Sequence, residues 1–142
     1  GYRDYGHDLD NTDPVDDAGL GFAVSLDLPF LGRDAVVAAR ARPPRQRLVQ
    51  VLLERPEPLL HHAEVVHRSG RPVGYVRAGS YGHTLGAAVG LAMVALAPGE
   101  QGVLDQAWLD AGRWEVDVAG ELQPASVSLR PLYDPDSERV RS

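Results

Sequence analysis

The 142-residue chain has no cysteine. That excludes disulfides, thiolate metal ligands and a cysteine nucleophile. It has no lysine either: all 14 basic residues are arginine, so a Schiff-base lysine is impossible within it. The arginine bias is read as the mark of a GC-rich genome. No window approaches the roughly 18 consecutive apolar residues of a membrane-spanning helix. The longest weakly polar stretch, Leu85–Pro98, is short and rich in Gly and Ala. No signal-peptide pattern is visible. A net charge of −6 leaves no basic stripe for phosphate backbones, so neither nucleic acid nor membrane is an expected partner. No Gly-x-Ser-x-Gly elbow is present. Gly19-Leu20-Gly21 lacks the third glycine of a dinucleotide fingerprint. The absence of cysteine suits a reducing compartment, and cytoplasmic placement is the expectation.

What is present is 44% hydrophobic, enough for one good core. Residues 1–17 are rich in aspartate, and Asn11-Thr12-Asp13-Pro14 marks a turn. These carboxylates read as a solvated loop. Leu20, Phe22 and Val24 alternate with small residues, which predicts a short strand within 18–26. Ala- and Arg-rich residues from Arg33 to Ala41 predict a helix that Pro43-Pro44 must end.

From Arg47 the signals turn to β. Strands are expected at 48–53, 63–68, 72–78, 91–96, 114–118 and 125–130, with turns at Ser69-Gly70 and Ala119-Gly120. Residues 82–90 read as a loop. The expected class is mainly β: a six-stranded antiparallel β-barrel over 45–142, preceded by a strand–helix tail over 1–44.

Several motifs in order carry a family resemblance. They are Tyr5-Gly6-His7-Asp8-Leu9-Asp10, Asp13-Pro14, Asp17-Ala18-Gly19-Leu20 and Phe30-Leu31-Gly32-Arg33-Asp34. Arg47-Leu48-Val49, Val73-Gly74-Tyr75-Val76 and Thr84-Leu85-Gly86 follow, and the series ends on Pro131-Leu132-Tyr133-Asp134-Pro135. Together they resemble the C-terminal part of the glycine-cleavage T-protein-like, or aminomethyltransferase, folate-binding domains. The branch at the end of FAD-dependent dimethylglycine and sarcosine dehydrogenases is the nearest in pattern: Trp108-Leu109 and Val116–Glu121 look like it. The chain therefore reads as the last third of a larger enzyme, with 1–44 as the tail of its middle α+β domain. One departure stands out. Where the family carries Thr-Ser, this chain has Arg77-Ala78, which removes two hydroxyl groups.

The resemblance implies one-carbon transfer to tetrahydrofolate. It also implies an N-methyl amine oxidised by FAD bound in an upstream domain. The family's catalytic Asp and pterin-binding Glu fall upstream of Gly1, so no catalytic residue is assigned and the chain alone is expected to be inactive. Four positions carry over as candidate cofactor-binding residues. Arg139 matches a ligand-contacting arginine of the C-terminal tail, against a solvated tail residue. Tyr5 lines the cavity segment, against core packing. Tyr133 reads equally as a barrel-closing core aromatic, and His83 stands at a loop by the ligand mouth. The expected partners are the upstream domains and a small N-methyl amine substrate. Two rivals remain: a free-standing aminomethyltransferase with a lipoyl carrier partner, and a non-catalytic folate-sensing module. His61, His62 and His67 match no standard metal spacing. His7 beside Asp8 reads as a surface residue.

Overall fold

A computed structural model describes residues 3–141. Helix α1 spans Arg33–Arg40, and six strands follow: β1 Gln46–Leu53, β2 Val65–Arg68, β3 Arg71–Gly82, β4 Ala87–Ala95, β5 Trp114–Val118 and β6 Glu121–Ser128. Short helices α2, Gln106–Asp110, and α3, Glu138–Arg141, flank the last hairpin. The strands close into an antiparallel barrel in the order β1-β4-β3-β2-β5-β6. Closure leaves no unpaired sheet edge.

Turn chemistry sets the register. Hairpins β2–β3 and β5–β6 are joined by two-residue loops, Ser69-Gly70 and Ala119-Gly120, with all four residues at positive φ. That is the signature of type I′ turns, whose twist matches the strands they join. Pro124 sets the end of another ladder. It accepts from the Glu54 N–H but has no N–H to return, and the β1–β6 pairing stops at Leu53 and Ala125.

The core is built by alternation. Val49, Val51 and Leu53 on β1 point inward beside Val76, Ala88, Ala92, Val94 and Val116. Leu60, from the loop after β1, and Leu96, Leu104 and Leu109, after β4, complete it. Asp105 caps α2 by accepting from the Trp108 N–H at 2.9 Å. That helix delivers Leu109 to the core. It also places Trp108 under the Arg68 guanidinium, 4.1 Å from the ring centre.

Three local expectations are corrected. Residues 18–26 form no strand. Gly21–Ala23 is a single 3₁₀ turn, reached through hydrogen bonds from Gly19 to Asp16 and Leu20 to Val15. A strand needs a partner, and the closed barrel offers none. The 82–90 loop shrinks to residues 83–86, because Ala87–Gly90 are strand. Their small side chains look like loop composition. Crowding favours the smallest of them, since a Cβ on Gly90 would lie 3.0 Å from the Ala78 carbonyl oxygen. Helix α2 was not expected; five residues are too few for a 3.6-residue period to register.

Candidate functional site

The outer face of β1, β4 and β3 carries the two segments that flank the barrel in sequence. The 4–20 segment is pinned by main-chain and side-chain bonds. The Leu48 N–H donates to Asp17 O at 2.8 Å, and the Arg47 guanidinium donates to Asp16 O. Two residues along β1 on the same face, Gln50 Oε1 accepts from the Leu132 N–H at 3.0 Å and holds the C-terminal tail. Both segments therefore lie on one face of one strand.

Arg77 is the strongest of these pins. It is the extra residue of a bulge in β3, between Val76, which pairs with Ala92, and Ala78, which pairs with Leu91. A bulge re-aims the side chain it carries. Here the guanidinium reaches across to Asp13 with two bonds and to Asp8 O with a third. The Asp13 carboxylate is only 4% exposed, and its pairing raises the Arg77 pKa above the ordinary arginine value. The substitution that looked like a loss of hydroxyls is the gain of a half-buried ion pair. Sequence reasoning missed it because the two residues lie 64 positions apart.

Several aspartates of residues 1–17 therefore do not form the solvated loop that was expected. Asp8 is buried and accepts from the Asp4 N–H at 2.7 Å. Asp16 holds Arg40 of α1 through two bonds, which lower its pKa. Burial pushes the Asp17 carboxyl up. His7 lies 2.7 Å from Asp4, not against Asp8, and both partners are exposed.

The four candidate residues separate into two places. Tyr133 and Arg139 come together: the guanidinium carbon stands 5.7 Å from the ring centre. Asp134 organises this corner by accepting from the Glu138 and Arg139 N–H groups. Tyr133 is 45% exposed, so it is not a barrel-closing core aromatic. Tyr5 is 69% exposed and is not a core residue either; it sits on the 4–20 segment, beside a bridge to Leu9. His83 is elsewhere, at the β3–β4 hairpin tip, edge-on to Tyr81 at 5.1 Å. Along β4 the hairpin base at Ala87 is four residues, about 14 Å, from Leu91 opposite Gln50. Among the described residues no group of three or more His, Asp or Glu is placed to hold a metal ion.

The geometry defines a class: a closed six-stranded antiparallel barrel whose two flanking segments share one outer face, with an aromatic–guanidinium pair exposed there. Comparison with known proteins narrows it. Residues 46–134 match the family model described as the glycine cleavage T-protein C-terminal barrel domain. The chain belongs to that family. It is 46% identical across 99% of its length to a 4-methylaminobutanoate oxidase (formaldehyde-forming) of Paenarthrobacter nicotinovorans, spanning 16% of that protein. It is 32% identical to the mitochondrial sarcosine dehydrogenase of Mus musculus, spanning 15% of it. It is 35% identical over 91% of its length to an aminomethyltransferase of Synechococcus sp. (strain CC9311), spanning 33% of it. The crystal structure of glycine cleavage system aminomethyltransferase T from Bartonella henselae superposes with a TM-score of 0.69 over 89% of this chain and 34% of that one, at 19% identity. The chain thus shares its fold with that aminomethyltransferase.

Proposed function

We propose that this chain is the T-protein-type portion of a longer flavin-dependent enzyme that demethylates a small N-methyl amine and passes the one-carbon unit to tetrahydrofolate. The observation that carries the branch is the 46% identity to an N-methyl amine oxidase over 99% of the chain. We place a domain boundary at 44/45; the family match beginning at residue 46 and the stiff Pro43-Pro44 step support it. Cytoplasmic placement goes with this reading and rests on the lack of cysteine.

Tetrahydrofolate, when bound, supplies the amine nitrogens that accept the one-carbon unit. Tyr133 and Arg139 fit it on their chemistry: an aromatic wall beside a cation suited to a carboxylate. Tyr5 supplies a further exposed ring on the 4–20 segment. His83 belongs to the mouth only if a neighbouring domain brings it there. FAD belongs to another part of the longer protein, because no dinucleotide fingerprint lies within these residues.

The neighbouring domain has a natural landing place. Phe22, Leu28, Leu31 and Val37 are all exposed, and α1 has no buried residue. An apolar surface of this kind marks an interface. The isolated chain forms one wall of the cavity and does not turn over.

The test is the intact gene product. Flavin reduction on adding 4-methylaminobutanoate or sarcosine supports the oxidase. A flavin-free protein that transfers the one-carbon unit from a lipoyl carrier would be an aminomethyltransferase. Folate binding with neither activity would leave a sensing module. Arg139→Ala weakens tetrahydrofolate binding to the intact protein by about 1–3 kcal/mol, as for a charged hydrogen bond. Unchanged affinity by calorimetry removes Arg139 from the site.

A further inference from the structure

A cleft of about 460 Å³ lies between the end of α1, the Pro43–Arg47 step and the 14–17 loop. Four guanidiniums line it: Arg40, Arg42, Arg45 and Arg47. Two carboxylates, Asp16 and Asp17, face them. Both carboxylates have partners, but only Asp16 is paired with a cation of its own; Asp17 keeps a charge that acts on Arg47. Asp16 takes the bidentate pair from Arg40, and Asp17 is bonded to Gln46.

The other three arginines keep their charge. Arg45 donates to the carbonyls of Ala97 and Glu100. Arg47 donates to the carbonyl of Asp16, and its Nε is buried with no partner. A carbonyl satisfies a donor without cancelling its charge. The Arg42 side chain makes no hydrogen bond or ion pair among the described residues, and the residue is exposed. Four arginines against two aspartates leave an excess of two positive charges in a concave site on a chain of net charge −6. Concave walls focus such a field and raise the local concentration of counter-ions. Pro14, Pro43 and Pro44 add rigid apolar walls, and the volume falls within the range of small-molecule sites.

We propose that this cleft binds a small multivalent anion, carrying two or more carboxylate or phosphate groups on a compact body. Arginine forks suit both groups equally. The site is independent of the folate reading, which rests on Tyr133 and Arg139; loss of either leaves the other standing.

The experiment titrates the 142-residue chain at low salt, by calorimetry, with pyrophosphate and separately with a glutamate tripeptide. Binding is expected to weaken as salt is added. Arg42→Ala is expected to weaken it about tenfold, the loss of one charged contact. Arg42→Lys should retain part of the affinity, and Arg71→Ala on the opposite hairpin should retain all of it. Because the Arg42 side chain makes no hydrogen bond or ion pair among the described residues, and its main-chain bond to Ala39 survives the change, the thermal midpoint of Arg42→Ala should match the parent. Tighter pyrophosphate binding assigns a phosphate ligand, and tighter peptide binding a carboxylate. If neither anion binds more tightly than about 10 mM, or if Arg42→Ala binds as the parent does, the proposal is overturned.

Discussion

Removing the Arg77 guanidinium strands Asp13, a carboxylate almost without solvent contact. Breaking a buried pair in this way costs about 3–5 kcal/mol. The cost is expected to fall on the 4–20 segment more than on the barrel, because the pair joins the two. Arg77→Ala should therefore expose amides of residues 4–20 to rapid hydrogen exchange while strand amides stay protected. Equal loss of protection in both would show that segment and barrel unfold as one unit.

Asp16 gives a pH dependence of known sign. Its folded pKa lies below the ordinary 3.8, so its pairing contributes fully above that value and is lost as the pH falls through the lowered one. Asp17 runs the other way. Its raised carboxyl favours folding below 3.8 and loses that contribution as the pH rises through the shifted value. The Arg40 pair is partly exposed, so solvent screening keeps its contribution small. Asp16→Asn should make urea midpoints between pH 5 and about 2.5 fall less steeply than in the parent. An identical acid limb would mean the Arg40 pair is too well solvated to matter.

The Leu60 plug depends on a strand with no side chain beneath it. A Cβ on Gly79 would come within 2.4 Å of the Leu60 carbonyl carbon, and the Gly79 N–H already donates to His61 O at 2.7 Å. Backbone cannot yield as a side chain can. Gly79→Ala should therefore expel the plug at a cost near that of deleting a buried leucine, about 2–5 kcal/mol. Leu60→Ala should cost a similar amount, and the double variant should cost little more than either, since both remove one contact. Additive urea denaturation would place the two in separate elements. A close approach of the Ala78 carbonyl likewise favours glycine at position 90 of β4, in a stretch that composition alone describes as loop.

The chain as a whole has two unlike surfaces. Exposed apolar side chains on the barrel strands, such as Tyr75 and Leu122, are about half covered, whereas Phe22 is 86% exposed and Leu31 wholly so. Apolar exposure on that scale drives association when no partner is present. Leu31→Asp should lower the concentration dependence of the chain's sedimentation, and its unfolding free energy should stay within about 0.5 kcal/mol of the parent, since Leu31 has no packing to lose. Unaltered self-association would remove the 22–37 surface from the docking role proposed for it.

Local signals determined most of the barrel. Alternation from Arg47 onward, positive-φ turn dipeptides at 69–70 and 119–120, and prolines at 43–44 are each read within a few residues, because each acts through the backbone of its neighbours. Helix α1 was legible for the same reason. The order of short motifs carried the family, since order is a property of the chain and not of its packing. The candidate residues were legible only as positions: whether Tyr133 faces core or solvent, and which side chain meets Arg139, depends on the tail being anchored to Gln50 across 82 residues. Tertiary structure alone decided the rest. Strand order and the bulge that turns Arg77 toward Asp13 are consequences of closing the sheet. Closure brings together residues whose separation along the chain holds no trace of the contact.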